Sequence, residues 1–267
     1  MPSVAAADPL DISVITRSPL TKCPQNTTLK VYILHLLTMR LPNDTFSYAY
    51  PHPAVTTDVV VFTIRRSRLS LLLVRRANSP FANRWALPGG FLDIDEDLDS
   101  CAARELAEET GIDGVYLEQL YTFGATQRDP RERVISVAYF ALIPEQTLPS
   151  PPRAASDASD VEWFEFEKLP PLAFDHAEII EKAHRRLVAK LDYSSIAFQF
   201  MNPEFTLSEL QCVYETLLNQ ALDKRNFRKR ILSLDLIQET GKLRRNGKHR
   251  PAREYRAKHP ERVEIIK

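Results

Sequence analysis

Residues 90–112 read GFLDIDEDLDSCAARELAEETGI, and a Pro88-Gly89-Gly90 turn leads into them. The acidic residues Glu96, Asp97 and Asp99 fall where a helix N-terminus favours negative charge, and Thr110-Gly111 closes the run where a helix takes a glycine cap. The residues between are good helix formers. At about 100° per residue, Glu105, Glu108 and Glu109 share a sector of roughly 100° on one face. Three carboxylates so close repel one another. Arg104 is spaced to pair with Glu108, but one guanidinium cannot neutralise three acids, whereas a hard divalent cation can. A solvated, charged helix face is the plainer reading of such a run; the glycine turn and the spacing of the whole stretch stand against it.

That spacing is G-x5-E-x7-R-E-U-x-E-E-x-G-U, with U aliphatic, filled by Gly90, Glu96, Arg104, Glu105, Leu106, Glu108, Glu109, Gly111 and Ile112. It resembles the signature of the Nudix hydrolases, with no fixed position missing. The resemblance implies a loop-helix-loop that binds Mg²⁺, with Mn²⁺ as a substitute, and hydrolyses a nucleoside diphosphate linked to another moiety.

The chain has 267 residues, enough for one large or two modest domains. Its three cysteines, Cys23, Cys101 and Cys212, have no metal or CxxC spacing and point to a reducing, cytoplasmic setting. Cys101 reads as a small buried thiol. A formal net charge of zero conceals an asymmetry: residues 224–267 hold fifteen of the 35 Lys/Arg and five of the 35 Asp/Glu, leaving twenty basic and thirty acidic residues before them. An acidic body with a basic end suggests two modules with different partners.

In order, residues 1–45 form an N-terminal extension without an assigned role; its apolar run Leu29–Leu41 is too short to span a membrane. Val55–Ile64 and Leu69–Val74 read as a strand hairpin, and Tyr116–Phe123, Val134–Leu142 and Val161–Phe166 as further strands. Glu145–Asp160 is a proline-bearing exposed loop. Ala177–Leu191 is an amphipathic helix with Ile179, Ile180, Ala183, Leu187 and Leu191 on one stripe. Strands flanking the signature helix plus this late helix give an α/β fold, an α/β/α sandwich over residues 46–195.

After residue 196 the pattern changes. Thr206 and Glu209 form a capping box for a helix to about Leu218, and Asp223 caps a second, Lys224–Leu232. A turn containing Gly241 and a basic stretch around Asn246-Gly247, a strong hairpin signal, follow. Helix, helix and basic hairpin are the order of a winged helix-turn-helix, here placed at 196–260 with a tail at 261–267. Phe227 and Ile231 turn inward, leaving Arg225, Asn226, Arg228 and Lys229 for a DNA groove. Lys242, Arg244, Arg245, Lys248, His249 and Arg250 would make a wing on the phosphate backbone or in the minor groove. A basic face docked on the acidic body is the alternative.

The signature resemblance implies that Glu105, Glu108 and Glu109 hold the metal, with the carbonyl of Gly90 as a further ligand. Arg104 would orient the glutamates, Glu96 brace the loop, and Glu105 act as general base. Arg76, Arg128 and Arg131 are candidate phosphate clamps, or else surface salt bridges. Phe123, Trp163 or Tyr121 are candidates to stack on a base, though strand aromatics more often face a core. Further segments, WALPGGFLD (85–93), FGATQRDPRERVISVAYFAL (123–142), LPPLAFDHAEII (169–180) and 205–232, resemble the ADP-ribose pyrophosphatase-like branch that ends in a winged helix and includes transcriptional regulators of NAD metabolism. That resemblance implies ADP-ribose as ligand, a homodimer, and double-stranded DNA as a partner. Two readings follow: a hydrolase releasing AMP and ribose 5-phosphate, and a ligand-responsive DNA-binding regulator. A pure sensor needs no full carboxylate set, so the intact glutamates place the enzyme first. A purely dimerising C-terminal module is a third.

Overall fold

The computed structural model describes residues 50–148, 158–245 and 251–266; the N-terminal extension and the Asn246-Gly247 turn lie outside them. Residues 52–267 form one compact unit. At its centre is β1 (Ala54–Arg65), parallel to β6 (Val134–Leu142) and antiparallel to β2 (Arg68–Arg76). Arg66 and Ser67, with φ of 49° and 59°, close the hairpin between β1 and β2. β5 (Tyr116–Phe123) lines the outer side of β6, and β7 (Ala158–Glu165) and the two-residue β3 (Trp85–Ala86) pair with β2.

Because β1 is covered on both faces, it reads as one apolar run, yet its alternate residues go to different layers. Val60 and Phe62 pack with Ile179, Ile180, Ala183 and Leu187 of α2 (His176–Tyr193). Val59 and Val61 pack with Ala102 and Leu106 of α1 (Leu98–Thr110). This is the α/β/α sandwich. β1 pairs with β2 only from Val61 onward; over Thr56–Asp58 its partner is β4 (Gly89–Phe91). The change of partner opens the sheet where the signature begins.

The second module is a three-stranded antiparallel sheet, β8 (Phe205–Thr206), β10 (Ala252–Ala257) and β9 (Ile237–Arg244), beside α3 (Leu207–Leu218) and α4 (Lys224–Ser233). The capping box is complete: Thr206 Oγ1 accepts from Glu209 N–H at 3.2 Å while Glu209 accepts from Thr206 N–H at 2.7 Å. Gly241, read as a turn, lies instead within β9 with φ of 79°. Phe205, Tyr214, Phe227, Ile231 and Tyr255 belong to the same apolar cluster as α2, so the core runs unbroken from one module into the other.

Candidate functional site

The signature helix is fixed at both ends by local chemistry. Asp97 caps it, accepting from Ser100 N–H at 2.8 Å, and Gly111 leaves it in the left-handed conformation, φ 71°. Arg104 grips Glu96 through two hydrogen bonds of 2.9 Å, Nε to Oε1 and Nη2 to Oε2, and its Nη1 donates to Glu105 at 2.8 Å and Glu108 at 3.2 Å. The hydrogen bonds to Glu96, more than any other influence, hold the guanidinium in its charged form. The arrangement places Glu96 as the brace and Arg104 as the hub of the acids.

The two glycines before the helix permit close approach. A Cβ on Gly89 would stand 2.1 Å from the Thr57 carbonyl oxygen, and one on Gly90 2.3 Å from the Glu105 carboxylate. Gly89 N–H donates to Glu109 at 3.0 Å. Burial pushes the Glu109 carboxyl up to about 7, the Gly89 hydrogen bond opposing and the Glu105 charge adding to the rise. Burial raises Glu105 as well, against Arg104. Two partly buried carboxylates that are costly to ionise together suit a divalent cation, which would relieve both. Among the described residues no three Asp, Glu, His or Cys side chains already form a metal-holding group. Glu108 shows why: its side chain is 52% exposed and turned to Arg104, while Glu105 and Glu109 line a cavity of about 410 Å³ that Glu108 does not reach.

The far side of that cavity carries the guanidiniums. Arg76 donates from Nε to the Pro80 carbonyl at 2.9 Å and lies 4.8 Å from the centre of the Phe174 ring. Arg131 lies 5.3 Å from the Phe91 ring centre and 5.7 Å from that of Phe174, tied to Asp129 at 2.7 Å. Burial, then the charge of Arg131, lowers the affinity of Arg76 for its proton. Arg131 is already paired with Asp129 through Nε and Nη2, so the cleft beside Phe174 offers an anion chiefly Arg76, whose charge Arg131 opposes.

Arg128 occupies a different place. Its side chain is 3% exposed and bonded to Asp175 at 2.8 and 3.0 Å and to Asp58 at 3.2 Å. It holds the cavity floor together, so its guanidinium is already engaged by carboxylates and is not the open phosphate clamp the sequence suggests. His176 completes the floor: its Nδ1 accepts from Leu87 N–H at 2.8 Å, its Nε2 faces Asp58 at 3.4 Å, and burial holds it neutral. Phe123 requires correction too. It is 5% exposed and packed in the core with Phe140 and Ile180, because its strand position faces α2. Trp163 and Tyr121 also stand away from the cavity; Tyr121 lies under Lys182 Nζ at 3.5 Å. The aromatics that do line it are Phe91 and Phe174, neither singled out from the sequence. Asp58 and His176 were missed as well, although an acid inside the apolar run VTTDVVVF was a readable signal for the first.

On the winged helix, Arg225, Asn226 and Lys229 are exposed on one face of α4, opposite buried Phe227 and Ile231, and Arg245 is exposed at the end of β9. Arg228 is half-buried and donates to Ser208 Oγ at 3.2 Å, so it braces α4 against α3. Lys242 is paired with Glu204, and Arg244 with Glu209 and Glu254; these two wing cations are engaged within the module. Lys248, His249 and Arg250 lie outside the described residues. One helix joins the cavity to this module. His176, at the start of α2, forms the cavity floor, and near its end the Asp192 carbonyl accepts from Arg230 of α4 at 3.3 Å. No described helix is long and apolar enough to cross a membrane.

Comparison with known proteins matches both halves. Residues 54–183 match the NUDIX domain, and residues 197–257 match the NrtR DNA-binding winged helix domain. The chain is 40% identical over 211 residues to the ADPR responsive transcriptional repressor NtrR of Acinetobacter baylyi, covering 78% of this chain and 83% of that one. It is 36% identical over 132 residues to an ADP-ribose pyrophosphatase of Methanocaldococcus jannaschii, covering 49% of this chain and 73% of the relative. A crystal structure of Shewanella oneidensis NrtR complexed with a 27mer DNA superposes with a TM-score of 0.70 at 40% identity, covering 78% of this chain and 94% of that chain. The chain therefore belongs to the Nudix proteins that carry a C-terminal NrtR-type DNA-binding winged helix.

Proposed function

We propose that this protein is an ADP-ribose-responsive transcriptional regulator. The Nudix cavity takes the ligand and the winged helix binds duplex DNA, with the division between them near residue 195. The observation that carries the reading is α2: His176 at one end forms the cavity floor and Asp192 near the other holds Arg230 of the DNA-facing helix. A ligand that changes the packing at His176 thus acts on an element that also positions α4. The repressor from Acinetobacter baylyi, alike over most of its length, supports this order over the one the intact glutamates suggested. Arg225, Asn226, Lys229 and Arg245 take the DNA, and Lys248 and Arg250 are assigned to the same contact from their charge in the sequence. A homodimer would present two such helices to one duplex. The test is DNA binding to duplexes that the full-length chain selects from a randomised pool, with and without ADP-ribose. A regulator changes affinity when ligand is added; equal affinity would sink the reading.

Hydrolysis is the second reading, favoured by the complete signature and by likeness to an ADP-ribose pyrophosphatase. In it Glu105, Glu109 and the Gly90 carbonyl, joined by Glu108 once its side chain leaves Arg104, would hold Mg²⁺, or Mn²⁺, which would supply charge neutralisation at the diphosphate. Arg104 positions the acids, Glu105 takes the proton from water, and Arg76 and Arg131 hold the phosphates. The water oxygen adds at one phosphorus, the bridging P–O bond of the diphosphate breaks with its oxygen leaving on the other phosphate, and AMP and ribose 5-phosphate separate. AMP release by wild type but not by Glu105→Gln would support it; no release by wild type would end it.

A further inference from the structure

Thr56 stands out among the buried hydroxyls. It is 8% exposed, lines the cavity, and its Oγ1 is turned from solvent and has no hydrogen-bond partner among the described residues. The other buried serines and threonines of the described residues all have one. Thr57 Oγ1 meets Cys101 Sγ at 3.3 Å, Thr63 donates to the Ile143 carbonyl at 2.8 Å, and Ser194 to the Lys190 carbonyl at 2.7 Å. Ser136, the residue beside Thr56 on β6, donates to Asp58. An orphaned hydroxyl in so well-paired a floor calls for a partner that the described residues do not supply.

The position of Thr56 is fixed and its direction follows from the strand. Its backbone is paired on both sides, with Phe91 on β4 and Ser136 on β6. Successive side chains on a strand point to opposite faces, so Thr56 shares a face with Asp58, and Thr57 takes the other, toward Cys101 of the signature helix. Thr56 therefore stands on the side of the strand away from the α1 acids. Its cross-strand neighbour Phe91 carries the Arg131 guanidinium over its ring at 5.3 Å.

We propose that Thr56 is a specificity-determining residue whose hydroxyl, brought to the cavity surface by a step to another staggered χ1 rotamer, hydrogen-bonds an oxygen of the bound nucleoside diphosphate sugar on the guanidinium side of the cavity. A hydroxyl can donate to a phosphate oxygen or exchange a hydrogen bond with a sugar hydroxyl; both sources share the oxygen chemistry. The inference rests on the reading that this cavity takes ADP-ribose.

The test is calorimetric titration of ADP-ribose into the full chain, comparing wild type, Thr56→Val and Thr56→Ser. Valine keeps the β-branched shape and removes only the hydroxyl, and serine restores it. The expected result is an affinity about tenfold weaker for Thr56→Val and within about threefold of wild type for Thr56→Ser. Titration with AMP and with ribose 5-phosphate separates the sources, the loss following the fragment whose oxygen meets Thr56. Equal ADP-ribose affinity for wild type and Thr56→Val would overturn the proposal, leaving Thr56 a partner of trapped water. If Thr56→Val does not fold, a Thr56→Ser protein that binds as weakly as Thr56→Ala overturns it equally. Failure of the ligand reading looks different: wild type itself would not bind ADP-ribose.

Discussion

Arg104 and Glu96 are joined by two parallel 2.9 Å hydrogen bonds, and the same guanidinium reaches Glu105 and Glu108. One planar fork thus ties the loop before α1 to the acids on it. Lysine cannot reproduce a fork. Arg104→Lys should weaken Mg²⁺ binding about tenfold, the size expected for a group that orients ligands without touching metal. The Mg²⁺ concentration that half-saturates the thermal shift of the protein checks this. An unchanged value would mean the acids are positioned by the helix alone.

Gly89 and Gly111 separate two reasons for glycine. Both have positive φ, 153° and 71°, but a Cβ on Gly89 would stand 2.1 Å from the Thr57 carbonyl oxygen while one on Gly111 meets nothing within 4 Å. Gly89→Ala should cost about 3 kcal/mol or more, and Gly111→Ala about 1 kcal/mol, the left-handed cost alone. Urea unfolding of the two variants gives both values, and similar losses would contradict the close approach at Gly89.

The Glu109 carboxyl, pushed up by burial to about 7, makes stability depend on pH with a definite sign. Between the ordinary carboxylate value and about 7 the folded metal-free chain keeps a proton that the unfolded chain has released. Its stability therefore falls as pH rises through that window and levels above it. Glu109→Gln should remove a fall on the order of 2 kcal/mol between about pH 5 and pH 8. Mg²⁺ should bind more tightly across the same rise, since the ligand must first lose its proton. Parallel stability profiles for wild type and Glu109→Gln would contradict the shift.

On α4, exposed and half-buried arginines should behave differently. Arg225→Ala/Lys229→Ala should weaken DNA binding and flatten its logarithmic salt slope by roughly 1 to 2. Arg228→Ala, which releases Ser208, should instead lower stability by about 1 kcal/mol. Electrophoretic shifts over a salt series and thermal melts distinguish the two; a salt slope that does not change in the double variant would remove α4 from the interface.

The signature helix, its glycine C-cap, both hairpin strands and the α2 stripe were legible because each is encoded locally, in spacing of less than two dozen residues. The α3 capping box was equally plain. What escaped was built across the chain. Asp58, Arg128, Asp175 and His176 come from three separated segments and become a single buried network only when β1, the 124–133 loop and α2 meet. Phe174 could not be told from a core aromatic by sequence, since its place in the cavity depends on a positive φ of 50° just before α2. Phe123 failed for the converse reason: an aromatic strand position gives no sign of which face the core takes. The wing cations Lys242 and Arg244 looked available because Glu204 and Glu209 precede them by 38 and 35 residues, and Glu254 meets Arg244 only across the pairing of β9 with β10.

The central claim is that the Nudix cavity and the winged helix are energetically coupled. It is tested most directly by the affinity of the full-length protein for a selected duplex, measured at one fixed salt concentration with and without saturating ADP-ribose. Coupling through α2 predicts a change of at least about fivefold, the lower end of ordinary allosteric coupling, and predicts that Arg230→Ala, which removes the hydrogen bond to the Asp192 carbonyl between α4 and α2, reduces that change. Identical DNA affinity at saturating ADP-ribose, in a protein shown to bind both ligands separately, would contradict it.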